Sequence, residues 1–393
     1  MFERFTPSPA DDIMKVGQMC RADTRAEKVD LGIGVYKDAT GATVVLPSVK
    51  TAEARLLSEQ ATKTYVGLAG DADFNTAMAE LFLGTALVPE RTSVVQTPGG
   101  SGALRLLFEA IEVVRPEATV WLPDPTWGNH APIIDKVGLH HGSYRYYDAT
   151  TGAVDFDGMM AALRDVPAGD VVLLHGCCHN PTGANLTLAQ WLKVGDLIVS
   201  QGLLPVVDLA YLGFGEGIEE DAAGLRALYA MVPEMLIAGS CSKSFAIYRE
   251  RTGVVIAKSA NAEIAAKSFA MLQQLARVNH SMPPDHGAAV VREILCDPAL
   301  RQQWVAELSE MRARLVQLRE GFAAALRAAV GDGRFDAVAS QRGMFSLLPI
   351  SPEAVTRLRE DHAIYLVSDG RFNVAGLSED NIPRLAKAIA DLC

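Results

Sequence analysis

Four short runs of consecutive apolar residues, many of them β-branched, lie in the middle of this chain, at residues 118–122, 171–174, 204–207 and 252–256. A strand that is apolar on both sides has to be covered on both faces, which is typical of a sheet flanked by helices. Helical stretches separate the runs along the chain. The pattern therefore predicts an α/β fold with a mostly parallel central sheet and flanking helices.

Polar residues follow three of these runs within two positions. Asp124 ends the first segment, His175 the second and Asp208 the third. In open α/β sheets, ligands bind in the crevice beyond the carboxyl ends of the strands. We therefore expect the functional groups of this chain to gather at that edge of the sheet.

A second, smaller domain is predicted from the ends of the chain. An apolar stripe at helical spacing ends at the Gly-Asp-Gly of residues 331–333, and a short strand, a helix and a closing helix follow. At ~150 residues per domain, 393 residues suit two or three domains. The prediction is a large domain at 48–308 and a small α+β domain at 1–47 and 309–393, with 1–10 as an N-terminal arm. The stripe consists of Trp304, Leu308, Met311, Leu315, Leu318, Phe322 and Leu326.

The composition argues against several kinds of partner. The net charge is −11, whereas binding to nucleic acid or to an anionic membrane needs a basic surface. No run approaches the ~18 apolar residues of a membrane-spanning helix, and the N-terminus does not resemble a secretory signal. The six cysteines are sparse and form no Cys-x-x-Cys pair, which suits a reducing compartment. We expect a cytoplasmic protein without nucleic-acid or membrane partners.

The glycine-rich segment at residues 98–105 reads Pro-Gly-Gly-Ser-Gly-Ala-Leu-Arg and leads into a helix. Glycines allow backbone N–H groups to approach a ligand closely, and a helix N-terminus favours an anion. Ser101 adds a hydroxyl group. From the residues alone, a plain tight turn, an anion site and a nucleophilic serine remain open.

Two histidines and two cysteines occur together in residues 175–183, His-Gly-Cys-Cys-His-Asn-Pro-Thr-Gly. A zinc site is one interpretation, but adjacent ligands do not easily surround a tetrahedral ion and the usual Cys-x₂₋₄-Cys spacing is absent. We therefore predict no metal. Asn180, at the carboxyl end of a strand, can instead donate a hydrogen bond to a ligand.

Two further segments carry groups suited to catalysis. Asp208, in Asp-Leu-Ala-Tyr at 208–211, follows an apolar strand, so its carboxylate needs a cationic or hydrogen-bonding partner; a structural ion pair is the alternative. Lys243 lies among small neutral residues at 240–244. Burial there would lower its pKa and free a nucleophilic amine, although a lone lysine is more often a solvated charge.

Two arginines are candidates for binding carboxylates. Arg277 lies in residues 275–284 and Arg371 in residues 369–374. A guanidinium group matches a carboxylate with two parallel hydrogen bonds, so an arginine on ordered backbone makes a natural clamp. Taken singly, each arginine is more often part of a surface ion pair.

In this order and combination, the motifs closely resemble those of the class I aminotransferases that use pyridoxal phosphate, in the aspartate and aromatic branch. The resemblance runs from residues 30–38 to residues 373–377 and also includes the segments at 99–105, 175–183, 208–211 and 240–251. Within this branch the chain looks most like the bacterial aromatic aminotransferases. The resemblance implies the fold type I of pyridoxal-phosphate-dependent transferases, with the cofactor in the large domain.

The resemblance assigns the central chemistry to a few residues. Lys243 would form an imine with the aldehyde of pyridoxal 5′-phosphate and later carry a proton between the substrate and the cofactor. Asp208 would keep the pyridine nitrogen protonated, with His130 supporting the carboxylate. Asn180 and Tyr211 would hydrogen-bond the phenolic oxygen of the cofactor.

Further residues are assigned by the same resemblance. The phosphate would be bound by the helix start, two serines and an arginine, with a tyrosine from a second subunit, and a tryptophan would stack on the ring. These cofactor-binding residues are Gly100, Ser101, Ser240, Arg251, Tyr65 and Trp127. Arg371 would bind the α-carboxylate, and Arg277, joined by Ser281, would reach across a homodimer interface to a side-chain carboxylate. The implied substrate-binding residues are Gly34, Trp127, Asn180, Arg277 and Arg371.

The implied activity is a ping-pong transfer of an amino group from an aromatic or dicarboxylic L-amino acid to a 2-oxo acid such as 2-oxoglutarate. Tyrosine, phenylalanine, aspartate and glutamate are the expected amino acids, and two subunits would share each active site. A strict aspartate aminotransferase is the main alternative. A pyridoxal-phosphate-dependent lyase and a serine hydrolase built on Ser101 are more remote ones.

Overall fold

The computed structural model describes residues 2–5 and 12–392. The described α-helices are α1 Asp12–Ala22, α2 Pro47–Glu59, α3 Ala72–Leu83, α4 Gly99–Val114, α5 His130–Val137, α6 Phe156–Arg164, α7 Leu188–Gln201, α8 Ile218–Met231, α9 Ala262–Asn279, α10 His286–Cys296, α11 Pro298–Val330, α12 Ala337–Ser340, α13 Pro352–His362 and α14 Ile382–Ala390. Short 3-10 helices lie at Phe2–Arg4, Gly84–Ala86, Pro89–Arg91 and Val374–Gly376.

The strands of the described residues form one large sheet and three small pairs. They are β1 Val29–Asp30, β2 Thr92–Pro98, β3 Thr119–Asp124, β4 His140–Arg145, β5 Tyr147–Asp148, β6 Ala153–Val154, β7 Val171–His175, β8 Leu204–Leu209, β9 Met235–Ser240, β10 Thr252–Lys258, β11 Phe345–Leu347, β12 Ile364–Tyr365 and β13 Arg371–Asn373. The small pairs are β1 with β12, β5 with β6, and β11 with β13.

The large sheet has seven strands in the order β2-β10-β9-β8-β7-β3-β4. Strand β10 runs antiparallel to both of its neighbours, and the other described pairings in this sheet are parallel. The four apolar runs lie within or overlap β3, β7, β8 and β10. The predicted α/β fold with a mostly parallel sheet is confirmed.

Helices cover both faces of this sheet. Along β7, Val171 and Leu173 belong to a buried cluster that includes residues of α4 and α9, whereas Val172 and Leu174 belong to a second cluster with residues of α7 and α8. Successive side chains of a strand point to opposite faces, so a strand with two covered faces is apolar at every position. Each buried aliphatic side chain contributes about 1.5–3 kcal/mol relative to its exposed state.

The N- and C-terminal parts of the chain pack together. Strand β1 pairs in parallel with β12, and the two-stranded ribbon β11–β13 is antiparallel. Helix α11 runs without a break through positions 308 and 309 and ends at Gly331, which is left-handed with a φ of 87°. The boundary between 308 and 309 therefore lies within a helix, and the division into domains stays a prediction. Most of the predicted arm, residues 1 and 6–10, lies outside the described residues.

The predicted helical stripe is confirmed in α11. All seven apolar residues of the stripe are buried, from Trp304 to Leu326, whereas positions such as Arg301 face solvent. Helix α11 is thus amphipathic although it is 33 residues long. Within the part of the chain described here, no helix combines the length and the apolar character needed to cross a membrane.

Candidate active site

A cavity of about 270 Å³ opens at the carboxyl edge of the sheet, beside the ends of β7 and β8 and the start of α4. This is the edge at which the sequence predicts the functional groups. Most of the predicted site residues line this cavity: Gly34, Gly100, Ser101, Trp127, Asn180, Asp208, Tyr211, Ser240, Lys243 and Arg251. The structure therefore brings together residues that are separated by more than two hundred positions in the chain.

Lys243 lies just beyond β9, and its amine faces the ring of Tyr211 with Nζ 4.8 Å from the ring centroid. Burial lowers the pKa of Lys243 to about 8; the charge of Arg251 acts in the same direction, and that of Asp208 opposes it. Burial disfavours the charged form of an amine because the surroundings solvate it less well than water. Near neutral pH, a larger fraction of this amine is therefore uncharged than in an exposed lysine, and this fraction can act as a nucleophile or a base.

Asp208 is held in its charged form although it is largely buried. Its Oδ2 atom lies 3.1 Å from Nε2 of His130, which lies behind it and away from the cavity. Burial pushes the pKa of Asp208 upward, but the hydrogen bond from His130 and the positive charge of Lys243 outweigh that effect and lower it. The site therefore presents a carboxylate, rather than a carboxylic acid, to the cavity.

A hydrogen-bond chain behind Asp208 includes two residues that were not among the predicted site residues. The backbone N–H of Asn180 donates to Nδ1 of His175 at 3.4 Å, and Nε2 of His175 lies 3.1 Å from Oγ1 of Thr126. Oγ1 of Thr126 is in turn 2.8 Å from Nδ1 of His130. Since a backbone amide can only donate, the chain has one consistent direction, in which Nε2–H of His130 donates to Asp208.

His175 is neutral in this chain because burial lowers its pKa to about 3. A neutral ring can accept one hydrogen bond and donate the other, as the chain requires. The sequence marks His175 as the polar end of a strand, and Thr126 directly precedes Trp127. The sequence gives no other indication that His175 and Thr126 lie behind Asp208.

The start of α4 forms a candidate anion site. The residue before the helix supplies no capping side chain, so the first N–H groups of α4 remain free for a ligand. Gly99 has a φ of 73°, and a Cβ atom there would lie 2.6 Å from Nη2 of Arg251. Gly100 and Ser101 line the cavity with Ser240 and Arg251. The helix N-terminus, two hydroxyl groups and a guanidinium group are well suited to a phosphate.

Arg371 adjoins the cavity through Asn180 and is itself buried. Its Nη1 donates to Oδ1 of Asn180 at 3.4 Å and its Nη2 to the carbonyl oxygen of Gly32 at 3.0 Å. The guanidinium carbon lies 4.5 Å from the ring centroid of Phe345. A Cβ atom on Gly34 would lie 2.9 Å from Cζ of the same ring, so Gly34 leaves the space that Phe345 occupies.

The family of the chain follows from comparison with known proteins. A family profile described as aminotransferase class I and II matches residues 26–389. The chain belongs to this aminotransferase family. The predicted resemblance and the assignment as a transaminase are therefore confirmed.

Relatives of this aminotransferase match along the whole chain. The aromatic-amino-acid aminotransferase of Paracoccus denitrificans is 48% identical over 392 residues, covering 100% of both chains. The aspartate aminotransferase of Salmonella typhi is 44% identical over 392 residues, covering 99% of each chain. A crystal structure of the aromatic-amino-acid aminotransferase of Burkholderia pseudomallei covalently bound to pyridoxal phosphate has 39% identity and a TM-score of 0.95, and covers 100% of this chain and 99% of its own.

Two of the predicted site residues of the aminotransferase lie at the surface of the described chain, away from the cavity. Tyr65 is 83% exposed, and Arg277, near the end of α9, is exposed as well. Ser281, predicted to accompany Arg277, is also exposed, with a φ of 63°. The described single chain thus brings most of the predicted site residues to one cavity but leaves these three residues at the surface.

One residue of the cavity wall escaped the sequence analysis. Tyr248 lines the cavity, and its hydroxyl oxygen accepts the backbone N–H of Tyr36 at 2.8 Å. Burial raises the pKa of Tyr248 to about 12, so it remains a neutral phenol. Its position between Lys243 and Arg251 is the signal that could have identified it, because both flanking residues were candidates.

The two alternatives that the motifs left open are not favoured by the geometry. In the zinc interpretation, the rings of His175 and His179 should converge on an ion, but they pack together with centroids 4.2 Å apart. Sγ of Cys177 and Cys178 lie within 4.8 Å of a carboxylate oxygen of Asp221, which already accepts backbone N–H groups from Gly213, Gly215 and Glu216.

A serine nucleophile would need a histidine base at Ser101. In the described hydrogen-bond network, His130 is engaged with Thr126 and Asp208, and His175 with Thr126 and Asn180. Ser101 instead lies at the start of α4, among the groups of the candidate anion site. The hydrolase interpretation is therefore weaker than the anion-site interpretation, and the predicted absence of a metal stays a prediction.

Proposed function

We propose that this aminotransferase uses pyridoxal 5′-phosphate to move amino groups between aromatic or dicarboxylic L-amino acids and 2-oxo acids such as 2-oxoglutarate, in a ping-pong cycle. The observation that carries the proposal is the cavity in which Lys243, with its pKa lowered to about 8, lies together with a charged Asp208 and an uncapped helix start. The names of the relatives support it, since aromatic and aspartate aminotransferases both match over the full length.

The residues present fit pyridoxal phosphate at each of its functional groups. The start of α4 with Ser101, Ser240 and Arg251 suits the phosphate, Asp208 suits a protonated pyridine nitrogen, and Lys243 suits the aldehyde. The cofactor bound covalently in the Burkholderia relative supports this assignment. When bound, pyridoxal phosphate supplies an electron sink for the carbon that loses its proton.

Lys243 is the proposed proton carrier. Its uncharged amine accepts the proton from Cα of the substrate and returns it at the other reacting carbon. A pKa near 8 suits this exchange, because general acid–base catalysis is most efficient when the pKa lies close to the operating pH. Asp208, kept ionised by His130, would hold a proton on the ring nitrogen of the bound cofactor.

Arg371 is the proposed clamp for the α-carboxylate of the substrate. It is already held by Gly32, Asn180 and the ring of Phe345, so little conformational freedom is lost when a carboxylate binds. A carboxylate can accept two parallel hydrogen bonds from one guanidinium group. Asn180 and Tyr211, at the same edge, are proposed to hydrogen-bond the phenolic oxygen of the cofactor, and Trp127 to stack on its ring.

We further propose a homodimer in which each active site takes Tyr65 and Arg277 from the second copy. Both residues are exposed and lie outside the cavity of their own chain. Apolar neighbours are exposed too, with Val278 81% and Val66 39% accessible. Contiguous exposed apolar patches mark interaction surfaces, and these residues are proposed to belong to one. Arg277 is proposed to bind the side-chain carboxylate of aspartate or glutamate.

A cytoplasmic location is proposed as well. The described cysteines, Cys20, Cys177, Cys178, Cys241 and Cys296, are free thiols, which suits a reducing compartment.

Borohydride trapping tests the cofactor assignment. Reduction of the purified protein should attach the pyridoxyl group irreversibly, and peptide mapping should locate it at Lys243. Lys243→Ala should lose the visible absorbance. Its turnover rate should fall by about 10²–10⁴-fold or more, since this is the typical contribution of a general base. Lys267→Ala, at an exposed lysine of α9, serves as the control and should keep both. A label at another residue, or no label, would contradict the proposal.

Steady-state assays with aspartate, tyrosine and phenylalanine against 2-oxoglutarate test the substrate assignment. Loss of one partner of a buried charge pair costs about 2–5 kcal/mol, so Arg277→Leu should lower kcat/KM for aspartate roughly 30- to 5,000-fold. Turnover of phenylalanine should change little. Arg301→Leu, at an exposed position of α11, is the control. Equal losses for both substrates would refute the role of Arg277, and wild-type activity confined to aspartate would favour the strict aspartate aminotransferase.

A further inference from the structure

Arg319 of α11 is a buried arginine whose hydrogen bonds all go to neutral groups. It is 1% exposed, and in the described part of the chain no carboxylate forms an ion pair with it. Burial lowers its pKa to about 9. A buried charge without a counter-ion is costly and is tolerated only where many hydrogen bonds satisfy it. Its acceptors are the carbonyl oxygens of Val338 (3.2 Å), Gly343 (2.8 Å) and Phe345 (2.6 Å) and the hydroxyl group of Ser346.

These acceptors belong to one segment, which leads into strand β11. The register of the β11–β13 ribbon places Phe345 opposite Asn373 and Leu347 opposite Arg371. Residues directly opposite each other, and residues two apart on one strand, share a side of the ribbon. Phe345 and Arg371 are therefore diagonal neighbours on the same side, within reach of an aromatic and a long side chain.

The ring of Phe345 contacts the proposed active site in three directions. The guanidinium carbon of Arg371 lies 4.5 Å from its centroid, and the ring of Tyr211 is 6.0 Å away in an edge-on arrangement at 87°. Its Cζ atom fills the space left by the missing side chain of Gly34. Phe345 thus lies between the residue proposed to bind the α-carboxylate and the wall of the cavity.

We propose that Arg319 is a positioning residue for substrate binding, which holds Phe345 in place and thereby orients the guanidinium group of Arg371 toward the α-carboxylate. The proposal rests on the proposed function, since it takes Arg371 to be the carboxylate clamp. Arg319 touches neither substrate nor cofactor in this scheme. Through Phe345, Arg319 restricts the long side chain of Arg371, which would otherwise sample several rotamers. A clamp that is already rigid binds more tightly because it loses less conformational entropy on binding.

Loss of this positioning should weaken substrate binding and leave the chemical step nearly unchanged. Amino donors and oxo acids should both be affected, because both carry the α-carboxylate that Arg371 is proposed to bind. Phe345→Leu removes the face of the ring, Arg319→Met removes all donors, and Arg319→Lys keeps the charge but offers fewer, differently placed donors. In the holoenzyme, Phe345→Leu and Arg319→Met should each raise KM for phenylalanine and for 2-oxoglutarate about tenfold, as expected for loss of a desolvated cation–π contact. Arg319→Lys should give a smaller increase, and kcat should change less than about threefold.

A second measurement does not depend on turnover. The dissociation constant of 3-phenylpropionate, a carboxylate without an amino group, should rise by the same factor as KM in each variant. The absorbance of the bound cofactor should stay unchanged. Leu326→Ala, at a buried leucine two turns further along α11, is the control for general destabilisation of that helix. It should lower the melting temperature and leave both constants as they are.

The outcomes separate the two proposals. If Arg371→Lys weakens 3-phenylpropionate binding but Phe345→Leu and Arg319→Lys do not, the role of Arg319 is overturned and the clamp stands. If Arg371→Lys has no effect, Arg371 is not the clamp and both proposals fall. If Arg319→Met does not fold, Phe345→Leu and Arg319→Lys decide. In support, the double variant of Phe345→Leu with Arg371→Lys should bind no more weakly than Arg371→Lys alone.

Discussion

Burial acts on several titratable groups of the cavity wall, but its outcome depends on each group's own hydrogen bonds and neighbouring charges. It leaves Lys243 with a pKa of about 8 and His175 with one of about 3, so both tend toward their neutral forms. Asp208 is buried as well, yet the hydrogen bond from His130 and the positive charge of Lys243 keep it ionised. One site therefore holds an amine with a lowered pKa together with a carboxylate, the combination that the proposed chemistry needs.

The neutral state of His175 predicts a dependence of stability on pH. Its pKa is about 3 in the folded protein and about 6.5 in the unfolded chain, so between these values only the unfolded chain takes up the proton. This group should therefore lower the free energy of unfolding by about 1.4 kcal/mol for each pH unit below 6.5. The contribution is fully present above pH 6.5 and decreases down to pH 3.

Urea unfolding at pH 7.0, 6.0 and 5.0 measures this effect. His175→Gln can still accept from Asn180 and donate to Thr126, but it has no proton to gain, so its stability should fall less steeply with acid than that of the wild type. His140→Gln, at an exposed position, should retain the wild-type slope. Identical slopes for the wild type and His175→Gln would show that His175 is not held neutral.

At the scale of elements, α11 connects two parts of the site. Near its start, Nε1 of Trp304 donates to the carbonyl oxygen of Ser244 at 2.7 Å, directly after Lys243, and the indole stacks on Phe245 at 4.5 Å and 3°. Fifteen residues later, at 1.5 Å per residue about 22 Å along the axis, Arg319 holds the ribbon that carries Arg371. One continuous helix therefore contacts both the lysine-bearing segment and the ribbon that carries the proposed carboxylate clamp.

Trp304→Phe tests the first of these contacts. The substitution keeps an aromatic ring for stacking but leaves the carbonyl group of Ser244 without its donor, and an unsatisfied buried polar group costs about 1–3 kcal/mol. The free energy of unfolding in urea should fall by that amount, with KM unchanged because Arg371 is not disturbed. Val305→Ala, at the half-exposed next position, should change stability much less. A wild-type unfolding curve for Trp304→Phe would rule out a stabilising role for this hydrogen bond.

At the scale of the whole molecule, one chain does not complete the proposed site, because Tyr65 and Arg277 lie outside its cavity. A shared site predicts complementation between Lys243→Ala and Arg277→Leu. In a mixed dimer one site carries both defects and the other carries neither, so about half of the wild-type aspartate activity should return. The measurement is turnover of aspartate by purified, differently tagged heterodimers.

The two parental homodimers, mixed without subunit exchange, are the control and should show no gain. If verified heterodimers are as inactive as their parents, each site is built from a single chain. The second-copy roles of Tyr65 and Arg277 would then have to be abandoned, whereas the assignment of Lys243 would remain.

The sequence by itself determined the fold class and most of the functional groups that the site contains. Apolar runs in the strands follow from local burial on two faces, and the ends of β7 and β8 could be recognised because parallel strands present their carboxyl ends at one edge. Local sequence motifs were enough to identify Lys243, Asp208 and the glycine-rich turn at 98–105, because each motif places a characteristic residue type among a few near neighbours in the chain.

Only the tertiary structure decided which groups meet across long separations. Three such features join segments that are far apart in the chain. They are the hydrogen bond between His175 and Thr126, the antiparallel pairing of β10 with β2, and the hydrogen bond from Arg319 to the carbonyl oxygen of Phe345. Such contacts depend on packing and on the directions in which side chains emerge, and no local pattern encodes them. The exposure of Arg277 belongs to the same class, because it reflects where α9 ends on the folded surface rather than what surrounds this arginine in the sequence.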